Sequence, residues 1–427
     1  MENIIYSPSG SISIRINEDK MSAWMYIHKT GKIIDELEIL SLIQDAGIRN
    51  GFDEALEWMA ENGYNKDYEK PFPVAICKAS INKEQIKLHF DTEKAYNQDK
   101  EWNFKDIVSW SCVEPGKTLA DIPLSDFMDT SNSLNIYGEP ASDVANMLTL
   151  NSYIGTNVSL DIDGKRIISE IRGYPYLDTE GRICVADRIT YVGDIKFISV
   201  PVTLGASLTV EGSINKTHLS MTRDLTIKGN IINSEINTEG NLVVEGDILE
   251  CQGTGIVVTQ DIRVKGISDS LVLCMGNIYF ENVISGSRIV AEKQIAGDPD
   301  KSQIFASQVM SYKNVDVADI GSPEGTDTEI EITVSPFLKE RLMQMTKVMD
   351  KLKMSPILNK DKIDTFSKKL KIVEEDLSRE MTRYLNTKVE QPRFVKARNQ
   401  LYKKSYIRVF KNSYTIKQNQ ANAEFTE

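Results

Sequence analysis

LTVEGSI (208–214), LTIKGNI (225–231) and LVVEGDI (242–248) are three copies of one phrase. Gly212, Gly229 and Gly246 stand 17 residues apart, Gly266 follows after 20, and Asn282 takes the equivalent place 16 later. Within a copy the apolar residues alternate (Leu225, Ile227; Leu242, Val244), the period of a strand with one face turned inward. A second ladder, Leu219, Ile236, Ile256, Val272 and Ile289, precedes Leu225, Leu242, Ile262, Ile278 and Ile295 by about six residues. Units this short cannot each enclose a core, so they stack, each burying its apolar edge on its neighbours. No two-residue hairpin signal joins successive copies, which makes the strands parallel. The expected fold is therefore mainly β, a right-handed parallel β-helix. Glycine falls where a side chain would crowd a bend. Asp224, Asn241, Asp261 and Asn277 recur just before the inward strand, as corner residues. The longer spacing holds an inserted turn, GTG (253–255). Cys274 shares an inward beat with Met221, Thr238, Val258 and Ala291 and belongs to the core.

Outward from the repeat the pattern changes twice. Toward the N-terminus, SISIRI (11–16) and AWMYIH (23–28) alternate as strands. Leu37, Leu40, Leu42 and Ile43 form a helical stripe stopped by Gly47. A second short helix holds Leu56, Trp58 and Met59 and stops at Gly63, and PFPVAIC (71–77) returns as a strand. Toward the C-terminus, Leu338, Leu342, Met345, Met349 and Leu352 are spaced 4, 3, 4, 3, a heptad seam. Ser355-Pro356 breaks it, and a second seam runs through Ile363, Phe366, Leu370, Val373, Leu377, Met381 and Tyr384, with a stutter at Met381. A basic helix is expected from Pro392 to Lys404, then strands over 406–416. The predicted organisation is an N-terminal α/β domain (1–100), a β-rich connecting and capping region (101–200), the β-helix (201–335), an antiparallel coiled-coil hairpin (336–404), and returning strands with a tail (405–427).

The net charge of −12 divides unevenly. Residues 336–427 hold 21 Lys/Arg against 11 Asp/Glu, a balance of +10, which leaves −22 for the first 335. An acidic body carries a basic arm. Arg393, Lys396, Arg398, Lys403 and Lys404 are the candidate partner-binding residues of that arm. Charge alone makes nucleic acid the weaker reading against protein partners. No window is apolar enough to span a membrane, the N-terminus has no signal-peptide pattern, and five scattered cysteines (77, 112, 184, 251, 274) read as reduced thiols of a cytoplasmic protein.

Chemistry has few residues to work with. His28, His89 and His218 lie far apart, with no cysteine or acid at ligand spacing and no phosphate-binding glycine loop. No catalytic, cofactor or metal residue is expected. Glu211, Lys228, Glu245, Lys265 and Glu281 alternate in sign at one beat of the repeat, the pattern of a stabilised solvent face. A polysaccharide-binding or polysaccharide-cleaving β-helix is the alternative, with nucleic-acid binding by the basic arm the second. Trp102 and Trp110 flank a loop-rich segment and read as exposed, a hint of a ligand surface.

Four passages resemble the flagellar assembly protein A family in the same order. They are INEDKMSAWMYI (16–27) with IDELEILSLIQDAGIRNGFDEAL (34–56), then VEPGKTLADIPL (113–124) with NIYGEPASDV (135–144), the GNI/GDI repeat, and VADIGSPEGTDTEIEITVSPFLKERL (317–342). The chain departs from that pattern at VPVTLGASLTV (200–210), where Gly205 is the only glycine, and at IAGD (295–298). The resemblance implies a bacterial cytoplasmic scaffold or regulator that acts through protein contacts, linked to flagellar assembly or cell-surface organisation. It carries over no catalytic residue, and leaves the oligomeric state open.

Overall fold

The computed structural model describes residues 3–28, 36–62, 71–77, 86–93, 95–96, 102–107, 109–122, 134–140, 153–198, 201–253, 255–354, 360–386 and 392–427. They form two compact units, Met1–Gln98 with Val113–Ala186, and Asp99–Cys112 with Asp187–Glu427. The Gly63 stop and the Ser355-Pro356 break lie outside the described residues.

In the first unit an antiparallel sheet orders Asn3–Tyr6, Ile12–Ile16, Ser22–Ile27 and Phe72–Ile76. Helices α1 (Glu36–Asp45) and α2 (Phe52–Asn62) belong to the same unit. The inward residues Ile12, Ile14, Met25 and Ala75 pack with Leu42 and Ala46 of the α1 region. The helical stripe read from sequence is only half right. Leu42 is buried, but Leu37, Leu40 and Leu56 are exposed, because Ile39, Leu42 and Ala46 supply the buried face of α1 and Ala55 that of α2. A second small sheet (Lys87–Leu88, Thr118–Asp121, Arg166–Ser169, Val158–Leu160) and the hairpin Tyr174–Leu177/Ile183–Ala186 complete this unit.

Parallel sheets dominate the second unit. In one, Leu208, Leu225, Leu242, Ile262, Ile278, Ile295 and Val315 lie in register on successive strands. In the other, Leu219, Ile236, Ile256, Val272, Ile289 and Val309 do the same. None of the thirteen is more than 2% exposed. These are the two ladders legible in the sequence, and they make a β-solenoid of about 7 turns over residues 188–332. Parallel pairing already begins at Arg188–Tyr191 on Ser207–Val210, ahead of the expected start at 201. The bend glycines do relieve crowding. A Cβ on Gly229 would lie 2.3 Å from Ser213 Oγ and 2.9 Å from the Gly212 backbone.

A third, polar ladder holds another corner together. Lys216, Asn233, Glu250, Asp269, Gly286 and Ala306 all have left-handed φ, between 45° and 57°. For a residue with a Cβ that conformation costs about 1–2 kcal/mol. Each is followed by Thr217, Ser234, Cys251, Ser270, Ser287 or Ser307, all buried. Ser270 Oγ donates to its own Ser268 carbonyl (2.7 Å) and accepts from the Cys251 amide (2.9 Å), while the Ser270 amide donates to Ser287 Oγ (3.2 Å). The same pattern repeats at Ser287 and Ser307. Cys251 replaces a serine in this column, its Sγ accepting from the Ser234 amide at 3.4 Å. The predicted corner residues form a further ladder. Asp224 Oδ1 accepts from the Asn241 amide (2.7 Å), and Asp261 Oδ1 accepts from that of Asn277 (2.8 Å).

The segment 99–112 joins this unit through a short helix, α3 (Phe104–Ile107), whose Phe104 and Ile107 are buried. Trp102 is not a free surface. It packs on Trp110 (5.1 Å between ring centroids) and on Tyr191 (5.0 Å), so Trp102 lies between Trp110 and the first strand of the solenoid.

Near its end the solenoid is interrupted. Ser311 and Val315 are four residues apart, as are Ala291 and Ile295, or Cys274 and Ile278, the usual distance from one sheet to the next. Their partners on the following coil, Ile332 and Val395, are 63 residues apart. The excess contains helices α4 (Pro336–Lys353) and α5 (Lys360–Leu385), which pack on each other. The stretch expected to be a basic helix is instead the strand Phe394–Leu401, parallel to Val315–Ile320. Its alternation explains the correction: Val395 and Ala397 point inward and are buried, and the charged Lys396 and Arg398 point out. The strands therefore return at 394, not 405, with Ser405–Val409 completing the last coil on Thr328–Ile332. Asn412–Thr415 and Gln420–Thr426 then pair antiparallel to the last strand of each sheet, so neither sheet ends on its parallel strand.

Candidate functional site at the root of the helices

The most elaborate set of side-chain contacts lies where α4 and α5 leave and rejoin the solenoid. Ser335, before α4, has φ 44° and offers no side-chain cap. Glu292 of the solenoid caps the helix instead, accepting the Phe337 amide at 2.9 Å. Burial pushes the Glu292 carboxyl above its ordinary range. The Phe337 hydrogen bond pulls it back in part, and the Glu380 carboxylate of α5 pushes it further up. One turn into α4, the buried Glu340 receives Arg288 Nε at 2.6 Å. Beside it Lys339 pairs with the buried Glu331, which Arg408 approaches at 3.6 Å. A buried pair adds little net stability, but removing one partner strands a charge and costs several kcal/mol, on the order of 3–5.

In α5 the less exposed positions are Ile363, Phe366, Leu370, Val373, Asp376, Leu377, Glu380 and Tyr384. Glu380 holds the place that composition assigned to Met381, which is 55% exposed. At the end of α5 three aromatic rings surround one guanidinium. Arg393 lies 4.1 Å from the Tyr312 ring centroid, 4.8 Å from that of Tyr384 and 5.0 Å from that of Phe410. Tyr384 and Phe410 stack at 4.6 Å, and Arg393 Nη2 donates to the Tyr312 hydroxyl at 2.7 Å. Burial lowers the Arg393 pKa from its ordinary value. Solenoid, helix and C-terminal hairpin meet on this one side chain.

The five candidate residues of the basic arm are thus not one surface. Arg393 is the centre of the aromatic cage. Lys396 pairs with Glu424 at 2.7 Å, and Arg398 grips Asp316 through two bonds of 2.7 and 2.6 Å. Lys403 and Lys404 are exposed at a turn, Lys404 with φ 68°. Sequence reasoning missed Arg288, Glu292, Glu331 and Glu340, whose charges sit among apolar beats. Arg288 and Glu331 stand on outward beats, next to the inward Ile289 and Ile330, so in sequence they look like ordinary solvent-facing charges until α4 covers them.

Elsewhere the chemistry is structural. His218 Nδ1 meets Glu235 at 2.9 Å and His89 Nε2 meets Asp121 at 2.8 Å. His28 Nε2 lies 3.0 Å from Ser13 Oγ, but Ser13 is 2% exposed within the sheet, out of reach of a substrate. Burial raises the thiol of Cys77 to about 11 and that of Cys274 to about 12, which keeps both protonated and unreactive. Among the described residues no group of three His, Cys, Asp or Glu could hold a metal ion, and no helix is long and apolar enough to cross a membrane. An open groove of about 340 Å³ on the outer face of the solenoid runs between Arg188 and Arg263 and is lined by Thr209, Asp224, Thr226 and Asp261. Its two carboxylates already serve the corner ladder. The alternating charges behave as expected at one step, where Lys228 pairs with Glu245.

Two family models match the chain. The Flagellar Assembly Protein A beta solenoid domain covers residues 189–426, and the Flagellar Assembly Protein A N-terminal region covers 12–180. No curated protein and no solved structure matches it.

Proposed function

Because the chain belongs to the flagellar assembly protein A family, we propose that it serves flagellar assembly as a non-catalytic cytoplasmic scaffold that positions protein partners. The observation that carries this reading is the 63-residue interval between Ile332 and Val395. A solenoid that closes its next coil as though nothing intervened has no structural need of two long helices. They act as an antiparallel coiled-coil arm, rigidly mounted through Glu292, Glu340 and the Arg393 cage. Lys403 and Lys404 offer further contacts, whereas Arg393, Lys396 and Arg398 support the mounting.

The test replaces Phe337–Asn386 by a short glycine-serine linker in the native host and counts flagella. Loss of flagella with the shortened protein at its normal level is expected. Normal flagellation without the helices contradicts the arm's role, and normal flagellation without the whole protein contradicts the family function here.

A further inference from the structure

Charge is distributed unequally along the helical pair. Near the root, residues 336–346 and 373–386 carry four Lys/Arg against five Asp/Glu. Three of those cations are paired: Lys339 with Glu331, Arg379 with Asp376 and Arg383 with Glu380. The distal halves, 347–354 and 360–372, carry eight lysines and no arginine against three aspartates. Lys347, Lys351, Lys353, Lys362, Lys368 and Lys369 are all exposed, and among the described residues none of the six has an ion pair. Lys351 and Lys353 suit the C-terminal end of α4, but Lys362 stands in the first turn of α5, where the helix dipole disfavours a cation. Helix stability does not account for it. Where α4 ends, Met354 is 83% exposed.

We propose that the distal end of the helical pair is a peripheral docking site for an anionic phospholipid surface. Lysine is a strongly hydrated point charge on a flexible stem. It suits a diffuse anionic field better than the bidentate recognition of single phosphates that arginine provides. No aromatic side chain faces outward there to stack on bases, Phe366 being turned into the seam. An exposed methionine among lysines supplies the second, apolar contribution that lasting attachment at a lipid interface requires. The chain's overall charge of −12 repels such a surface, so attraction is confined to the part that carries the unpaired lysines. The inference stands apart from the flagellar role, since it concerns a lipid and not a protein partner.

The experiment is cosedimentation of the full chain with vesicles of phosphatidylcholine alone or with about one third phosphatidylserine. Binding to the anionic vesicles only is expected, falling at least about tenfold in the triple variant K351E/K353E/K362E and disappearing in high salt. Met354→Ser weakens it a few-fold. These side chains are exposed, so circular dichroism of the variants should match the parent. Equal binding to neutral vesicles, no binding to anionic ones, or indifference to the triple variant overturns the proposal. So does lysine-dependent binding to duplex DNA or polyglutamate without vesicle binding.

Discussion

The solenoid and the helical pair are held in opposite ways. In the solenoid each coil repeats the contacts of the last: an apolar ladder on two sheets, a hydroxyl ladder at one corner, an Asp/Asn ladder at another. The helices repeat only their seam, and reach the solenoid through a few unlike contacts, each made once. Repetition spreads the consequence of a defect along the rod, because neighbouring coils stabilise one another. A unique anchor concentrates it.

The largest test of that contrast is Ile262→Asp. An unpaired charge among Leu242, Ile278 and their neighbours should cost more than about 5 kcal/mol and abolish cooperative unfolding of the whole solenoid in urea. Next comes Arg288→Met, which strands the buried Glu340. It should cost about 3–5 kcal/mol, felt in the docking of α4 and not in the solenoid transition. Hydrogen exchange at the α4 amides reads this directly, and adding Glu340→Met should restore most of the loss. A uniform drop across the rod would erase the distinction between repeated and unique contacts. Ser270→Ala leaves the buried Cys251 amide without its acceptor, for about 1–2 kcal/mol by chemical denaturation.

The smallest effect depends on pH. Burial raises the Glu292 carboxyl, so folding favours its protonated form. The stabilisation is complete below the ordinary glutamate range and is lost as pH rises through the raised value. Glutamine stays neutral and keeps an acceptor for the Phe337 amide. The melting temperature of Glu292→Gln should therefore gain on the parent as pH rises from the ordinary glutamate range through the raised value. A difference of the opposite slope contradicts the burial of this carboxyl.

How far the sequence could be read follows the same division. Repeats declare themselves, so the ladders of Leu225 and Ile236 were visible residue by residue, down to Cys274 on an inward beat. Departures from repetition were not. Phe394–Leu401 hides a strand of period two beneath the outward charges Lys396 and Arg398, whose partners Asp316 and Glu424 come from distant parts of the chain. Met381 looked like a seam residue, whereas Glu380 takes the seam and lies close to Glu292. Leu37, Leu40 and Leu56 sat on plausible stripes but are exposed, because Ile39, Leu42 and Ala46 form the buried face of the α1 region and Ala55 is the buried residue of α2. Trp102 and Trp110 gave no period at all, and only the fold brings Trp102 to both Trp110 and Tyr191.

The central claim is that α4 and α5 are inserted into a solenoid that is complete without them. The direct measurement is hydrogen exchange on a chain in which Phe337–Asn386 is replaced by a short linker. The account predicts that the amides of Leu225–Ile227, Thr328–Ile332, Phe394–Leu401 and Ser405–Val409 keep their protection. Loss of protection in the last two strands, or throughout the rod, would show that the helices are part of the solenoid's own stability and would contradict it.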